Sequence, residues 1–555
     1  MSKKLKKIFT FQNFAIVFII ALAIFTRLFK LTEVPVGLHD DEAAMAYDAF
    51  SLAHWRVNRQ MMHLPVYLPN YGGGQSALYA YVDAFFILIF GLNTFIIRLP
   101  AALFSLAVVL FGGLIMKDIY GKKTGILAGL LLAIFPYFIC QGRFGLDCNL
   151  FLGTAVISFF LLLLAIKKQK ILWWLLAGLS FGITLYSYAL SWIVVPILLL
   201  LTFIYLLWLK KITFTQLLSF FGPFLILALP LFLFVLINTF DFDPIFTRFF
   251  YIPKLNSFRS DEFNINDISP RLLDLPRSLL YISNQDNFES FMTGWTLYAW
   301  SLPFLIFGLI GVVKKSFFAI KNKKFTPESL VVFWMISELI LTVIQGSVLH
   351  RHNSAFFPLA FCVIYGIRWF YQSLKPQWRN LYVSLVLTIY LISFGYFYYQ
   401  YFIVFPNQGY QMHFDDTPQR ALEALDSWSL EQGISSEQLN QRQIWIDVKY
   451  IFYYLGAQVP PTLSSPTHDV LNEVRFNNLH FEFLPKQEPI FDFIPEEINP
   501  QDIYIISNTG NQTGYINELD ELGLEEIYSD QKWTVWLDPS SFNSESESTV
   551  LPETL

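Results

Sequence analysis

The sequence predicts a mostly α-helical, polytopic membrane protein with about eleven spans and a small α/β extracytoplasmic domain near its C-terminal end. The first observation is composition: 54% of residues are hydrophobic, 15% are charged, and the mean hydropathy is +0.46. Soluble chains carry about 25% charged residues. The second is a succession of apolar runs near 11–29, 99–116, 124–140, 149–166, 171–189, 192–209, 215–237, 295–313, 329–349, 354–371 and 381–402, each about the length a bilayer requires. The third is a change of character after Tyr401, where the chain turns polar. The net charge of −5 says little about partners because the charges are segregated along the chain. A lipid bilayer is the expected surroundings, and no nucleic-acid partner is expected.

Lysine and arginine set the orientation, because they are retained on the cytoplasmic side. The basic clusters are Lys3 to Lys7, Lys117 with Lys122 and Lys123, Lys167 to Lys170, Lys210 with Lys211, Lys314 to Lys324, and Lys375 with Arg379. Eleven spans place all of them on one side. The apolar stretch Ser76 to Leu92 would reverse every later cluster if it crossed. It is therefore expected to lie at the outer interface, within a first outer loop of residues 30–98. The N-terminus is then cytoplasmic, with no cleavable leader expected after Lys3 to Lys7. The remaining outer loops are 141–148, 238–294 and 350–353. Residues 1–405 form the expected membrane domain. Residues 407–540 form the α/β domain, with "QIWIDV", "DIYIIS" and "KWTVWL" as strands and Thr417-Pro418 opening a helix. Residues 541–555 form a disordered tail. Cys140 and Cys148 flank one loop, and apolar thiols are expected there in preference to a disulfide.

Polar groups delivered to the outer face mark the candidate site. The first loop gives His39, Asp40, Asp41 and Glu42 directly after the first span. The second gives "CQGRFGLDCNL", with Arg143 and Asp147. A late loop gives "VLHRHNSAFFPL", with His350, Arg351 and His352. Carboxylates serve as general bases toward an acceptor hydroxyl or amine. Arginine holds a phosphate through paired charge-assisted hydrogen bonds. Histidines or carboxylates can hold a divalent metal, but no ligand spacing here is diagnostic, so any metal stays unassigned. Each group also has a plainer reading: solvated acids at 40–42, an Arg143–Asp147 pair, and an interfacial anchor at Arg351. Convergence on one face favours a site. The glycine-rich "YGGGQSALY" lacks the lysine and the strand–helix setting of a phosphate-binding loop, and by composition reads as a flexible joint between interface helices.

Five stretches, "GLHDDEAAMAYDAFSL", "LPVYLPNYGGGQSALYAYV", "FGLNTFIIRLPAALFSL", "GRFGLDCNL" and "HRHNSAFFPLAF", in this order resemble bacterial members of glycosyltransferase family 39. That family lies within the GT-C membrane glycosyltransferases, and includes protein O-mannosyltransferases and relatives of the aminoarabinose transferases. The resemblance covers roughly residues 1–400. It implies a polyprenyl-phosphate-linked sugar donor, an extracytoplasmic acceptor (cell-wall polymer, glycolipid or protein) and inversion at the anomeric carbon. Asp41, directly before Glu42, takes the place of the family's catalytic carboxylate, with Asp40 an additional acid and Asp147 the second aspartate. Arg351 is expected to meet the carrier phosphate. Glu42, Arg143, His350, His352, Tyr71 and Gln75 are the remaining candidates for substrate contact. One departure stands out: where relatives carry an acid-Lys-Pro-Pro type motif, this chain reads Gly74-Gln75-Ser76, so a metal role for that acid does not carry over. A lipid-sugar flippase and a non-catalytic envelope scaffold are the alternatives. Transporters place charge within their spans, whereas here Glu338 is the main exception to clean spans.

Overall fold

The structure is a computed structural model. It describes residues 11–70, 73–255, 258, 268–282, 294–407, 414–415, 417–439, 442, 444–446, 474–476, 479–481, 498–507, 513–530 and 533–542. The chain divides into two compact units. One comprises Met1–Pro35, Pro65–Asp83 and Thr94–Asn407; the other comprises Val36–Leu64, Ala84–Asn93 and Gln408–Leu555.

The first unit is helical. In chain order it contains α1 (Phe11–Leu28), the hairpin β2 (Tyr67–Asn70) and β3 (Gly73–Ser76), α4 (Thr94–Tyr120), α5 (Lys122–Ile134), α6 (Pro136–Cys140), α7 (Cys148–Lys168), α8 (Ile171–Thr184), α9 (Ser191–Trp208) and α10 (Phe214–Phe240). Then come β4 (Ile245–Phe246), β5 (Tyr251–Ile252), α11 (Ile268–Leu280), β6 (Tyr281–Ile282), β7 (Gly294–Trp295), α12 (Leu302–Lys321), α13 (Pro327–Gln345), a 3₁₀ segment (Leu349–Ala355), α14 (Phe356–Ser373) and α15 (Pro376–Tyr399). Among the described residues, eight helices are long and apolar enough to cross a membrane. Every expected span falls on a helix. Those at α1 and α8 are shorter, and the one at 124–140 is broken before Pro136, as a residue preceding proline is pushed to extended backbone. Phe135 has that conformation, φ −63° and ψ 132°. The expected span at 295–313 starts later: Gly294–Trp295 pairs with Tyr281–Ile282, a 3₁₀ turn follows, and the helix opens at Leu302, where proline occupies a first-turn position that needs no N–H partner. The stretch at Ser76–Leu92 forms α3 (Leu78–Phe90), 13 residues or about 20 Å, too short to cross a core of about 30 Å alone.

Glycine sets how closely some of these helices pack. A Cβ on Gly308 of α12 would overlap the Cys362 carbonyl of α14, and one on Gly366 would overlap the Phe304 carbonyl. Gly178 of α8 meets the Phe220 backbone of α10 in the same way. Small residues that admit backbone-on-backbone contact are a principal means of joining helices where lipid removes the hydrophobic drive.

The second unit holds β1 (Leu38–His39), α2 (Asp40–Trp55), β8 (Phe414–Asp415), α16 (Thr417–Glu431), α17 (Ser436–Leu439), β9 (Ile444–Ile446), β12 (Ile503–Ser507), α18 (Thr513–Glu521), β13 (Glu525–Ser529) and β14 (Trp533–Leu537). Its four-stranded sheet runs β13-β14-β12-β9, with β9 parallel to β12 and the other pairs antiparallel. One face, with Ile503, Ile505, Val535 and Leu537, packs with Ala421, Leu422 and Leu425 of α16; the other, with Tyr504, Ile506 and Trp536, packs with Leu519 of α18. Tyr47 of α2 belongs to the first of these cores. β1 pairs with β8, Leu38 opposite Asp415 and His39 opposite Phe414. The tail from residue 543 lies outside the described residues.

Replacing Gly308 by Leu should separate α12 from α14 and lower the melting temperature of the detergent-purified protein by several degrees or abolish its accumulation. Gly222→Ala, where no atom stands within 4 Å of a new Cβ, should leave melting unchanged or raise it slightly. Equal melting of both variants would show that the glycine contact does not set the packing.

Candidate active site

Three loops of the helical unit meet at the N-terminus of α7. Asp147 caps this helix: its Oδ1 accepts from the Cys148 N–H at 2.7 Å, and its Oδ2 accepts from the Ser76 N–H of β3 at 2.7 Å. The carboxylate is buried and bridges the hairpin to the helix, with negative charge at the end of the helix dipole that favours it. The late loop reaches the same point, since Asn353 donates to the Cys148 carbonyl at 2.8 Å and accepts from the Tyr137 hydroxyl. Asn353 and Tyr137 were not candidates from the sequence. A buried amide in "HRHNSA" carries no pattern of its own.

The glycine-rich stretch expected to be a flexible joint is instead an antiparallel hairpin, with Tyr67 opposite Ser76 and Leu68 opposite Gln75. Gly74 is required because a Cβ there would strike the Tyr67 ring and the Leu68 carbonyl, and the Tyr67 hydroxyl donates to the Gly74 carbonyl at 3.0 Å. Tyr67 packs on Phe234 and Trp192, and Val66 donates to the Tyr251 carbonyl at 2.9 Å. Gln75 is buried on β3. Tyr71 lies outside the described residues.

Arg143 does not pair with Asp147. Its guanidinium donates to five backbone carbonyls: Nε to Val34 at 3.0 Å, Nη1 to Thr26 and Arg27 at 3.0 Å each, and Nη2 to Phe29 and Lys30 at 2.8 Å each. Two of these carbonyls belong to the last turn of α1, which leaves them without helical partners, and three to the chain just beyond it. Burial lowers the Arg143 guanidinium to about 10, so it stays charged at neutral pH. Every N–H of this side chain is therefore engaged in structure. Two further buried arginines act on the same region. Arg98 donates to the Leu31 and Pro35 carbonyls at 2.9 Å each, and Arg27 reaches Ser105 and the Leu132, Ala133 and Phe138 carbonyls.

In the late loop, Arg351 is half-buried and Nη1 donates to the Gln345 carbonyl at the end of α13, at 2.8 Å. His350 is half-buried. His352 is fully buried: Nε2 lies 2.8 Å from the Gly346 carbonyl, and Nδ1 lies 3.3 Å from Glu338 Oε2, whose other oxygen accepts from the Ser354 hydroxyl. Both ring nitrogens face acceptors. The acid that stood out within the spans thus anchors the late loop.

In the second unit the acids open α2. His39 is the N-cap: its Nδ1 accepts from the Asp41 N–H at 3.1 Å, and the Glu42 carboxylate accepts from the His39 N–H at 3.3 Å. This is a capping box with histidine in the place usually held by serine or threonine. Glu42 is buried and Asp41 half-buried. Asp40 is the first residue of the helix, and its side chain lies outside the described residues. Farther along, Asp48 is fully buried and accepts from the Arg59 N–H at 2.9 Å, with Arg59 Nε 3.7 Å away. Burial raises the Asp48 carboxyl above its ordinary range, and Arg59 opposes the shift. Among the described residues, no group of three or more His, Cys, Asp or Glu is placed to hold a metal ion.

Residues 75–237, from β3 to α10, match the family model described as dolichyl-phosphate-mannose-protein mannosyltransferase. Among solved structures, the chain resembles ArnT from Cupriavidus metallidurans in the apo state. Identity is 14%, 95% of this chain and 98% of that chain are covered, and the TM-score is 0.51. ArnT from the same organism bound to undecaprenyl phosphate gives 15% identity, 94% and 97% coverage and a TM-score of 0.49. The archaeal oligosaccharyltransferase AglB from Archaeoglobus fulgidus gives 15%, 82% and 61%, with a TM-score of 0.45. No curated protein sequence matches the chain. The apo ArnT likeness gives the fold, and the family match over 75–237 gives kinship to glycosyltransferases. The chain is thus a multi-pass helical protein with the fold of ArnT, and its residues 75–237 resemble that mannosyltransferase family.

Asp147→Asn replaces one of two accepting oxygens by an N–H donor, setting it against a backbone N–H. Loss of a hydrogen bond to a charged group costs about 1.5–3 kcal/mol. The hairpin at 67–76 should therefore exchange its amide hydrogens roughly ten- to a hundredfold faster in this variant, with exchange in α15 unchanged. Unchanged protection of Ser76 would remove the tether.

Proposed function

We propose that the protein transfers a sugar from a polyprenyl-phosphate-linked donor to an extracytoplasmic acceptor, with inversion, and that Asp41 is the general base. The observation that carries this reading is the family match from Gln75 to Ile237, over the segment that supplies Asp147 and the Ser76 amide it holds. The dolichyl-phosphate-linked donor named for that family supplies the donor class. The base takes the acceptor proton as the acceptor oxygen or nitrogen attacks the anomeric carbon. The bond from that carbon to the phosphate oxygen breaks, and the phosphate leaves with the electron pair. A carboxylate in the first turn of a helix suits this role, because the capping box fixes the backbone beneath it. Arg351 is assigned to the carrier phosphate, with His350 beside it. Asp147 is assigned to holding the hairpin that presents Gln75. Arg143 and His352 support backbone and loop. The acidic loop and the sheet domain are assigned to the extracytoplasmic side, and the N-terminus to the cytoplasm.

With a labelled polyprenyl-phosphate sugar and purified protein, Asp41→Asn should lower turnover about 10²–10⁴-fold at unchanged melting temperature. Near-normal turnover would exclude Asp41 as the base; full loss in Asp40→Asn with an active Asp41→Asn would move the base by one residue.

Arg351→Lys should raise the donor KM while the acceptor KM stays constant, since an ammonium lacks the bidentate fork. Wild-type donor kinetics would reduce Arg351 to an anchor.

A further inference from the structure

A groove of about 590 Å³ runs between α1, α4 and α5, within the range of about 300–1,000 Å³ typical of ligand cavities. Its floor is made of small or buried residues, among them Ala23, Val109 and Gly129, while Ile20, Ile24 and Leu110 form an exposed apolar rim. The groove therefore opens toward hydrocarbon. Along α4 its lining runs from Leu103 to Lys117, about 21 Å at helical rise. That exceeds one leaflet's half of a core about 30 Å thick, and matches an acyl chain lying parallel to the helices.

One end is cationic. Lys117 and Lys122 line it. Among the described residues the Lys117 ammonium has no hydrogen bond or ion pair, and the Lys122 ammonium donates only to Asn13, at 3.1 Å. The remainder of the lining carries no charge. An apolar trough closed by two ammonium groups is complementary to a lipid with an anionic headgroup and to neither a neutral lipid nor a soluble anion. Arg98, which holds the Leu31 and Pro35 carbonyls, sits at the opposite end of α4, about 29 Å from Lys117 by helical rise. A phosphate at the lysines is thus a membrane thickness away from the start of the first outer loop, and is not the donor phosphate.

We propose that this groove binds an anionic glycerophospholipid, its headgroup phosphate on Lys117 and Lys122 and one acyl chain along α4. The site is independent of the transfer chemistry. The test exchanges phosphatidylglycerol or phosphatidylcholine onto the full-length protein in mixed micelles and reads retained lipid by native mass spectrometry. Wild type should retain phosphatidylglycerol over phosphatidylcholine by tenfold or more, as each lysine at a membrane surface contributes about fivefold. Lys117→Gln with Lys122→Gln should erase the preference while melting stays unchanged. Ile20→Trp, which fills the groove from its exposed rim, should reduce retention of both lipids. Equal retention of the two lipids by wild type, or an undiminished preference in the double variant, overturns the proposal. So does displacement of phosphatidylglycerol by equimolar undecaprenyl phosphate, which would make the groove a carrier site.

Discussion

The structure of the helical unit depends on how the chain leaves its first membrane helix. A helix that stops at the end of a span exposes carbonyls that water does not reach, and an unpaired buried carbonyl is costly. Here the carbonyls of Thr26, Arg27, Phe29, Lys30 and Val34 are met by a single guanidinium, Arg143, and those of Leu31 and Pro35 by Arg98. Arg27 works in the reverse sense, reaching from α1 to the carbonyls around the break between α5 and α6. Three cations, each hydrogen-bonded to backbone oxygens, fix one turn of chain. Lysine could not replace them, since its three donors lack the planar fork that meets five carbonyls at once.

The same economy of contacts organises the N-terminus of α7. Asp147 satisfies an amide of its own helix and one of the hairpin, and Asn353 joins the late loop to the next carbonyl. Loops distant in sequence are thereby held through backbone groups, so their geometry is insensitive to the surface residues they carry.

Much of this was legible in the sequence, and the failures have identifiable causes. Apolar runs of about twenty residues located the helices because lipid admits few alternatives for a spanning segment. The strands at "DIYIIS" and "KWTVWL" were legible from their alternation. The part Arg143 plays at the end of α1 was not legible, because the carbonyls it meets have no signature in side-chain sequence, and its plainer reading as a pair with Asp147 does not hold. The hairpin at 67–76 was missed because three glycines and a proline are poor strand formers. Its strands are held instead by the Tyr67 ring over Gly74 and by docking on Phe234. The start of α12 was placed early because Trp295 to Trp300 is as apolar as a membrane helix and only Pro303 marks the change.

Tyr47 sits in one hydrophobic core with Ala421, Leu422 and Leu425, and the strand preceding the acids pairs with residues 414–415. The acid-bearing helix emerges from the ribosome early, whereas its neighbours in that core are made nearly four hundred residues later. At roughly 5–20 residues per second the interval is tens of seconds. During that time the helix has no completed hydrophobic seat, and its acids have no settled position. Assembly of this protein is thus timed from its far end: a chain stalled within the membrane segments has its spans but not the packing that positions its acids.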